Sequence, residues 1–484
     1  MTSRDRSTSL SGGARSKRAK SEQAPSEDST PSGASAPIAP IYKRLPHGPH
    51  RLERNEVILH QRARIHGAML EAVAENGYEG TSVKQIIGLA GVSRRSFYEQ
   101  FANKEVCFLA TFDLIARREL KHMRRAYRSA GGPLESRGRA VYTRFAQSVH
   151  EDRKAMVLVV LEAPSAGAAG VLRLRRATDA CEQMLAYGFA ETPGAHALPN
   201  AVVRGITGGL HRTVATFLRT RASSERVDLA EEMLRWTMLF QTTAAERMSV
   251  RLDAAMNLRM REISSAYGNG RGAAQSASRD ERTRLLQGVL RLAAREAYRD
   301  LSAPQIADEA NVPIDAFCEQ FDSKEDCFLQ ALDMIGEELL ETIAHPGLAA
   351  ADWPSAVCAA LAALMRHLGD HPLHARTLVQ EAFHAGPEAL GRTLELSNSI
   401  AALLTKGAPA QAERGLALDA IAGAIWHTIR CQVTGGRTQT LAALSDHLAF
   451  VVLTPLIGAD SAAEIVTEER RPSVACDRRA RQSA

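Results

Sequence analysis

Between Arg94 and Tyr98 the chain gathers side chains suited to holding an anion: Arg94, Arg95, Ser96 and Tyr98. An arginine offers a planar fork of donors that fits phosphate oxygens or the O6 and N7 acceptors of guanine, and serine and tyrosine hydroxyls donate to phosphate. Two adjacent arginines in the first turn of a helix oppose its dipole, and an external polyanion removes that penalty. The plain alternative is a solvated helix face.

Other constellations carry less. His367, His371 and His374 have the i, i+4, i+7 spacing that gathers a metal on one helix, but Gly369 and Pro372 interrupt the segment, so no metal site is expected. Glu162 and Glu381 recur in apolar surroundings; ligand-facing carboxylates are one reading, and pairing with an arginine or capping a helix is the more ordinary one. Cys107 and Cys327 recur at one helical position and read as core. The seven cysteines show no C-x-x-C spacing, which suits free thiols in a reducing compartment. Trp236, Trp353 and Trp426 fit pocket or core equally. No nucleophile elbow, P-loop or dinucleotide fingerprint is present, so neither catalysis nor a cofactor is expected.

The elements that position these residues follow from composition and repetition. Of 484 residues, 45% are hydrophobic, 24% charged and 5% aromatic, with a net charge of +5. Abundant Ala, Leu, Arg and Glu with few β-branched runs predict an all-α fold. The opening MTSRDRSTSLSGGARSKRAK has no apolar h-region, and apolar runs such as 156–161 are short, so a cytoplasmic, nucleoid-associated chain without membrane contact is expected. Residues 66–113 align without gaps to 286–333, an offset of 220, with Tyr78/Tyr298, Ile86/Ile306, Phe97/Phe317 and Phe108/Phe328 among the identities. The match resumes at Leu161-Glu162-Ala163 and Gln380-Glu381-Ala382, now at an offset of 219. Two fused copies are therefore predicted. The expected order is a disordered basic arm at 1–55, a head at 56–112, a helical domain at 113–265, a linker at 266–280, a second head at 281–335, a second helical domain at 336–465 and a disordered tail at 466–484.

Within the first head, Ile65, Ala68, Met69, Ala72 and Val73 line one helix face, and Gly77 is placed to end that helix. Ser82 and Gln85 form a capping box, and Ile86, Leu89 and Ala90 make the inner face of a short helix. Gly91 tolerates the positive φ of a tight turn, Ser93 caps the next helix, and Phe97 and Phe101 anchor it. Two short helices joined by a glycine turn, the second with a basic start, form a helix-turn-helix. The string TSVKQIIGLAGVSRRSFYEQFANKEVCF at 81–108 resembles the DNA-binding head of TetR-type bacterial transcriptional regulators. That resemblance implies that Thr81, Lys84, Ser93, Arg94, Arg95, Ser96 and Tyr98 face DNA and that Lys104 holds phosphate. It also implies a helical bundle that binds a small effector and dimerises through its last helices, here Leu229–Phe240 and Leu441–Ile457.

The second copy keeps the core and changes the surface. Lys84 becomes Pro304, Gly91 becomes Asn311, Ser93 becomes Pro313, Arg94 becomes Ile314, Arg95 becomes Asp315, Ser96 becomes Ala316 and Tyr98 becomes Cys318. A carboxylate in place of two guanidinium groups repels phosphate, so this head is expected to fold and not to read DNA. The resulting expectation is a DNA-binding transcriptional regulator, a repressor of a palindromic operator, assembled as a homodimer or an intrachain pseudo-dimer. The competing reading is a ligand- or protein-binding module with only non-specific DNA affinity.

Overall fold

The computed structural model describes residues 54–191, 197–220, 228–268, 280–296, 298–409 and 414–467, and every regular element among them is helical. Most of the basic arm, most of the linker and nearly all of the tail fall outside the described residues. The first unit comprises α1 (Arg54–Gly80), α2 (Val83–Ala90), α3 (Arg94–Gln100), α4 (Lys104–Ala130), α5 (Leu134–Glu151), α6 (Arg153–Val157), α7 (Gly167–Ala190), α8 (Asn200–Arg219), α9 (Leu229–Met238) and α10 (Ala245–Gly268). The second comprises α11 (Glu281–Arg295), α12 (Ala303–Ala310), α13 (Ile314–Gln320), α14 (Lys324–Ala349), α15 (Trp353–Asp370), α16 (Pro372–Arg376), α17 (Ala382–His384), α18 (Pro387–Thr405), α19 (Arg414–Thr434), α20 (Ser445–Ile457) and α21 (Ala459–Thr467). Each unit carries a π-helical turn at the same place, Leu158–Glu162 and Thr377–Glu381.

The heads fold as their repeat demands. Ile65, Ala68, Met69, Ala72 and Val73 are buried on α1, and the helix kinks at Gly77, where φ is 69°. Ser82 accepts the Gln85 backbone N–H and Gln85 accepts the Ser82 N–H, closing the predicted capping box. The α2–α3 turn needs a left-handed residue: Gly91 supplies it at φ 60°, and in the second head Asn311 does so at φ 52°, the one non-glycine residue with positive φ among those described. Asparagine is among the few side chains that visit this region at small cost. Phe97, Phe101, Phe317 and Phe321 are buried beneath these turns. Leu89, predicted inward with Ile86 and Ala90, is instead 47% exposed, because the inward stripe runs through Val83, Ile86, Ile87 and Ala90 and Leu89 lies beside it.

Two segments, Arg153–Ala190 and Thr438–Ile457, are long and apolar enough to cross a membrane, which corrects the reading of short runs only. Windows tolerant of alanine, glycine and occasional charge reach a length that uninterrupted runs do not. These windows are 56% and 72% buried inside the fold, and the first is broken by the π turn and by Gly167 at φ 78°. They are core helices.

The two units pack on each other along α8 and α19, the most extensive helix pairing in the fold. Gly208 and Gly423 meet at the crossing: a Cβ on Gly208 would lie 2.5 Å from His427 Cβ, and one on Gly423 would lie 2.3 Å from Arg212 Cβ. The reciprocity, Gly208 with His427 and Gly423 with Arg212 at a common offset of 215, is that of an isologous interface built within one chain. Arg212 pairs with Asp419 at 3.5 Å and Arg259 with Asp446 at 3.0 Å across the seam. Of the two stretches expected to dimerise, α20 reaches across, with Gly205 against Val451. Leu229–Met238 lies mainly inside its own unit, where Trp236 packs on Gly209 and donates its indole N–H to Ile206 O at 2.9 Å.

Candidate nucleic-acid interface and effector cavity

The outer surface of the first head is set by three anchors. Arg64, buried on α1, donates from Nε to Ala90 O at 2.8 Å and from Nη2 to Gly91 O at 2.6 Å, satisfying the carbonyls that end α2. The Ser93 hydroxyl accepts the Ser96 backbone N–H at 3.0 Å and starts α3. Phe97 turns the opposite side of α3 into the core. With the helix so fixed, Arg94, Arg95 and Tyr98 point outward, Ser96 is half-buried beside Ser93, and Lys84 stands exposed on α2. The Arg94 guanidinium lies 5.6 Å from the Tyr98 ring centroid, and Arg95 reaches Glu99 at 2.9 Å, with 89% of its side chain exposed. Such an exposed pair contributes little and leaves the guanidinium available to an anion.

Two predicted contacts sit elsewhere. Thr81 is buried, and its hydroxyl donates to Gly77 O at 2.7 Å. Lys104 folds back into the head: Nζ donates to Tyr78 O at 2.9 Å and lies 4.2 Å from the Tyr78 ring centroid, and burial lowers its pKa. Lys324 repeats this arrangement, donating to Leu301 O at 2.9 Å. Both residues hold the turn after the first helix rather than standing on the outer face. Arg64 escaped the sequence reading; its recurrence as Arg284, whose guanidinium donates to Asn311 O at 3.3 Å, was the available signal.

On the second head the same backbone presents Ile314, 41% exposed, and Asp315, and no lysine or arginine lies on α13.

Beneath the first head, the bundle encloses a cavity of about 130 Å³ lined mainly by apolar groups, among them Met123, Tyr142, Val160, Leu210 and Met233. Two of its lining residues hold a buried polar atom with no partner among the described residues, Thr207 Oγ1 and His211 Nε2. Burial, then the charge of Arg430, depresses His211 well below the usual histidine range, so its ring is neutral. Val160 belongs to the π turn that ends at Glu162, and Glu162 Oε2 accepts the Tyr78 backbone N–H at 2.8 Å. In the second unit Glu381 pairs with Arg376 at 3.3 Å and His384 at 3.3 Å. Cys107 and Cys327 are buried, and burial pushes each thiol up to about 12, consistent with core packing.

The family model described as "Bacterial regulatory proteins, tetR family" matches this chain twice, at residues 67–111 and 285–331. Among curated proteins, none matches the sequence. Solved structures that match part of this chain include the transcriptional regulator FadR from Bacillus subtilis in complex with stearoyl-CoA, 20% identical, covering 36% of this chain and 96% of that one at a TM-score of 0.33. A TetR family transcription regulator from Marinobacter aquaeolei VT8 is 19% identical, covering 38% of this chain and 96% of that one at a TM-score of 0.29. The family match falls on both heads of the internal repeat, so the chain carries two TetR-type heads in tandem.

Proposed function

We propose that the chain is a cytoplasmic repressor that reads DNA through its first head alone and releases it when a small effector enters the first bundle. Lys84, Ser93, Arg94, Arg95, Ser96 and Tyr98 form the reading surface, with Thr81 and Lys104 holding its base. The observation that carries this reading is the contrast between α3 and α13: the same helix on the same core, with Arg94 and Arg95 outward in one and Ile314 and Asp315 in the other. Arginine forks suit the guanine edge in the major groove, and a carboxylate there opposes phosphate.

A single chain offers one such surface, hence one half-site; a palindromic operator takes two chains, joined outside the α8–α19 seam. The effector is largely apolar with one hydrogen-bonding group, which meets Thr207 and His211. A cavity of about 130 Å³ suits a ligand near the size of benzene, so a longer effector must spread the lining. That spreading moves Val160 and, two residues on, the Glu162 link to the head. An effector acts only through a difference in affinity between the two states of the head.

Titration against DNA from upstream of the gene and against a scrambled duplex, at two salt concentrations, tests the reading. Tight binding confined to the upstream DNA, lost in Arg94→Glu/Arg95→Glu and kept in Asp315→Lys, is the expected result. Equal, steeply salt-sensitive binding to both duplexes overturns it in favour of a binding module with non-specific DNA affinity.

A further inference from the structure

In the first unit, the joint between α5 and α6 is closed by an ion pair: Arg118 of α4 reaches Asp152 at 2.8 Å and Glu119 at 2.8 Å. The second unit inverts this chemistry. Glu338 of α14 stands where Arg118 does, at the offset of 220, and His371 stands where Asp152 does, at 219. That position therefore carries a carboxylate in place of a guanidinium. Glu338 faces two imidazoles, with Oε1 3.7 Å from His367 Nε2 and Oε2 3.7 Å from His374 Nδ1. Both nitrogens are buried and have no hydrogen-bond partner among the described residues, and the His367 side chain is only 9% exposed.

The break that argued against a metal at this sequence is what assembles the cluster. His371 adopts φ −117° and ψ 71° at the α15–α16 joint, which swings His374 back toward His367. The His371 Nδ1–H donates to His367 O at 2.9 Å, and its ring stacks on His367 at 4.3 Å and on His374 at 5.2 Å, bracing both rings. The ligand atoms of Glu338, His367 and His374 all lie within 4.8 Å of one another. Two ligands of a tetrahedral zinc ion lie about 3.3 Å apart, so a small inward closure completes the set.

We infer that Glu338, His367 and His374 bind a divalent transition-metal ion, zinc being the one their chemistry fits, with the remaining coordination position open to water. Two imidazoles and one carboxylate select against calcium and magnesium, which favour all-oxygen shells. Burial lowers the pKa of both histidines, keeping them in the neutral form that ligates. Glu338, with 43% of its side chain exposed, leaves an entry path from solvent. The ion supplies the positive charge that Arg118 supplies in the first unit and ties α14 to the α15–α16 joint. A second cluster, Glu182, His427 and Cys431, is already served by cations: Arg204 lies 3.5 Å from Glu182, and Arg430 lies 3.0 Å from His427 Nδ1. It makes a natural control.

The test uses the full chain stripped by a chelator and titrated with zinc chloride in a calorimeter, with cobalt(II) substitution read by its visible d–d absorption. The expected result is a saturable zinc site with four-coordinate cobalt bands. Glu338→Gln and His374→Gln each weaken it by at least about 100-fold, whereas Cys431→Ser leaves it intact. Circular dichroism of each variant establishes that it is folded. Absence of saturable zinc binding, or binding that survives in folded Glu338→Gln and His374→Gln, overturns the assignment.

Discussion

Glu162 and Tyr78, 84 residues apart in sequence, are joined by a 2.8 Å hydrogen bond from the Tyr78 backbone N–H to the Glu162 carboxylate. Lys104 takes the carbonyl of the same tyrosine at 2.9 Å, so both polar backbone groups of Tyr78 are engaged, one from the bundle and one from α4. Glu162→Ala strands a part-buried N–H and is expected to destabilise the head by about 1–2 kcal/mol, whereas Glu162→Gln, which keeps an acceptor, costs less. Hydrogen exchange at the Tyr78 amide is the readout. Glu381→Ala, which pairs only within its own bundle, should leave that amide protected.

Lysines on the first head divide by placement. Lys84→Ala removes an exposed cation and is expected to lower the salt dependence of DNA binding by about one phosphate contact, with the melting temperature unchanged. Lys104→Ala removes a donor from the turn after α1 and is expected to lower stability. Lys324→Ala should do the same to the second head with no effect on DNA affinity. A Lys104→Ala protein of normal stability that has lost affinity would return Lys104 to the outer face.

The seam predicts its own disruption. Gly423→Leu places new carbon where Arg212 Cβ already lies 2.3 Å from a Cβ at this position, an overpacking expected to cost about 1–3 kcal/mol or more. Thermal melts report the loss. Size exclusion with light scattering of the native protein at micromolar concentration should return the mass of a single chain, since α8 and α19 cover each other.

Acidity bears on His66, which is buried against Thr111 with a 2.7 Å contact between Nδ1 and Oγ1. Burial, then the charge of Arg62, lowers its pKa from 6.5 to about 4. Above pH 6.5 the ring is neutral both folded and unfolded. Between 6.5 and about 4 only the unfolded chain takes up the proton, so stability falls as the pH falls, by on the order of 3 kcal/mol over the window. His66→Leu, which installs the residue found at the equivalent Leu286, should flatten this part of the pH profile in urea melts at pH 7 and pH 5.

Comparison of the two copies made most of the head legible from sequence. Core positions such as Phe97 and Phe317 persisted while Arg95 became Asp315, which separated scaffold from surface. Helical periodicity gives the phase of a residue but not what lies over it. A family resemblance gives no more: it implies that Thr81 and Lys104 meet DNA, whereas in the fold Gly77 O and Tyr78 O receive them. Gly208 carries no local signal, because the glycine that meets it, Gly423, lies 215 positions away. The histidine cluster is hidden in the same way: Glu338 precedes His367 by 29 residues, and the break at Gly369 and Pro372, which reads in sequence as an interruption, brings His374 round only in three dimensions.

The reciprocal fit of Gly208 and Gly423 has a consequence for gene dosage. Ordinary dimeric regulators form their DNA-binding species in proportion to the square of subunit concentration when protein is scarce. Here the partner is part of the same polypeptide, so assembly is first order and its effective concentration is fixed by the tether. Occupancy of a half-site then rises linearly with the number of chains in the cell, without a threshold. Each chain presents its single reading surface as soon as it folds, and only the pairing of two chains on a palindromic operator depends on their concentration.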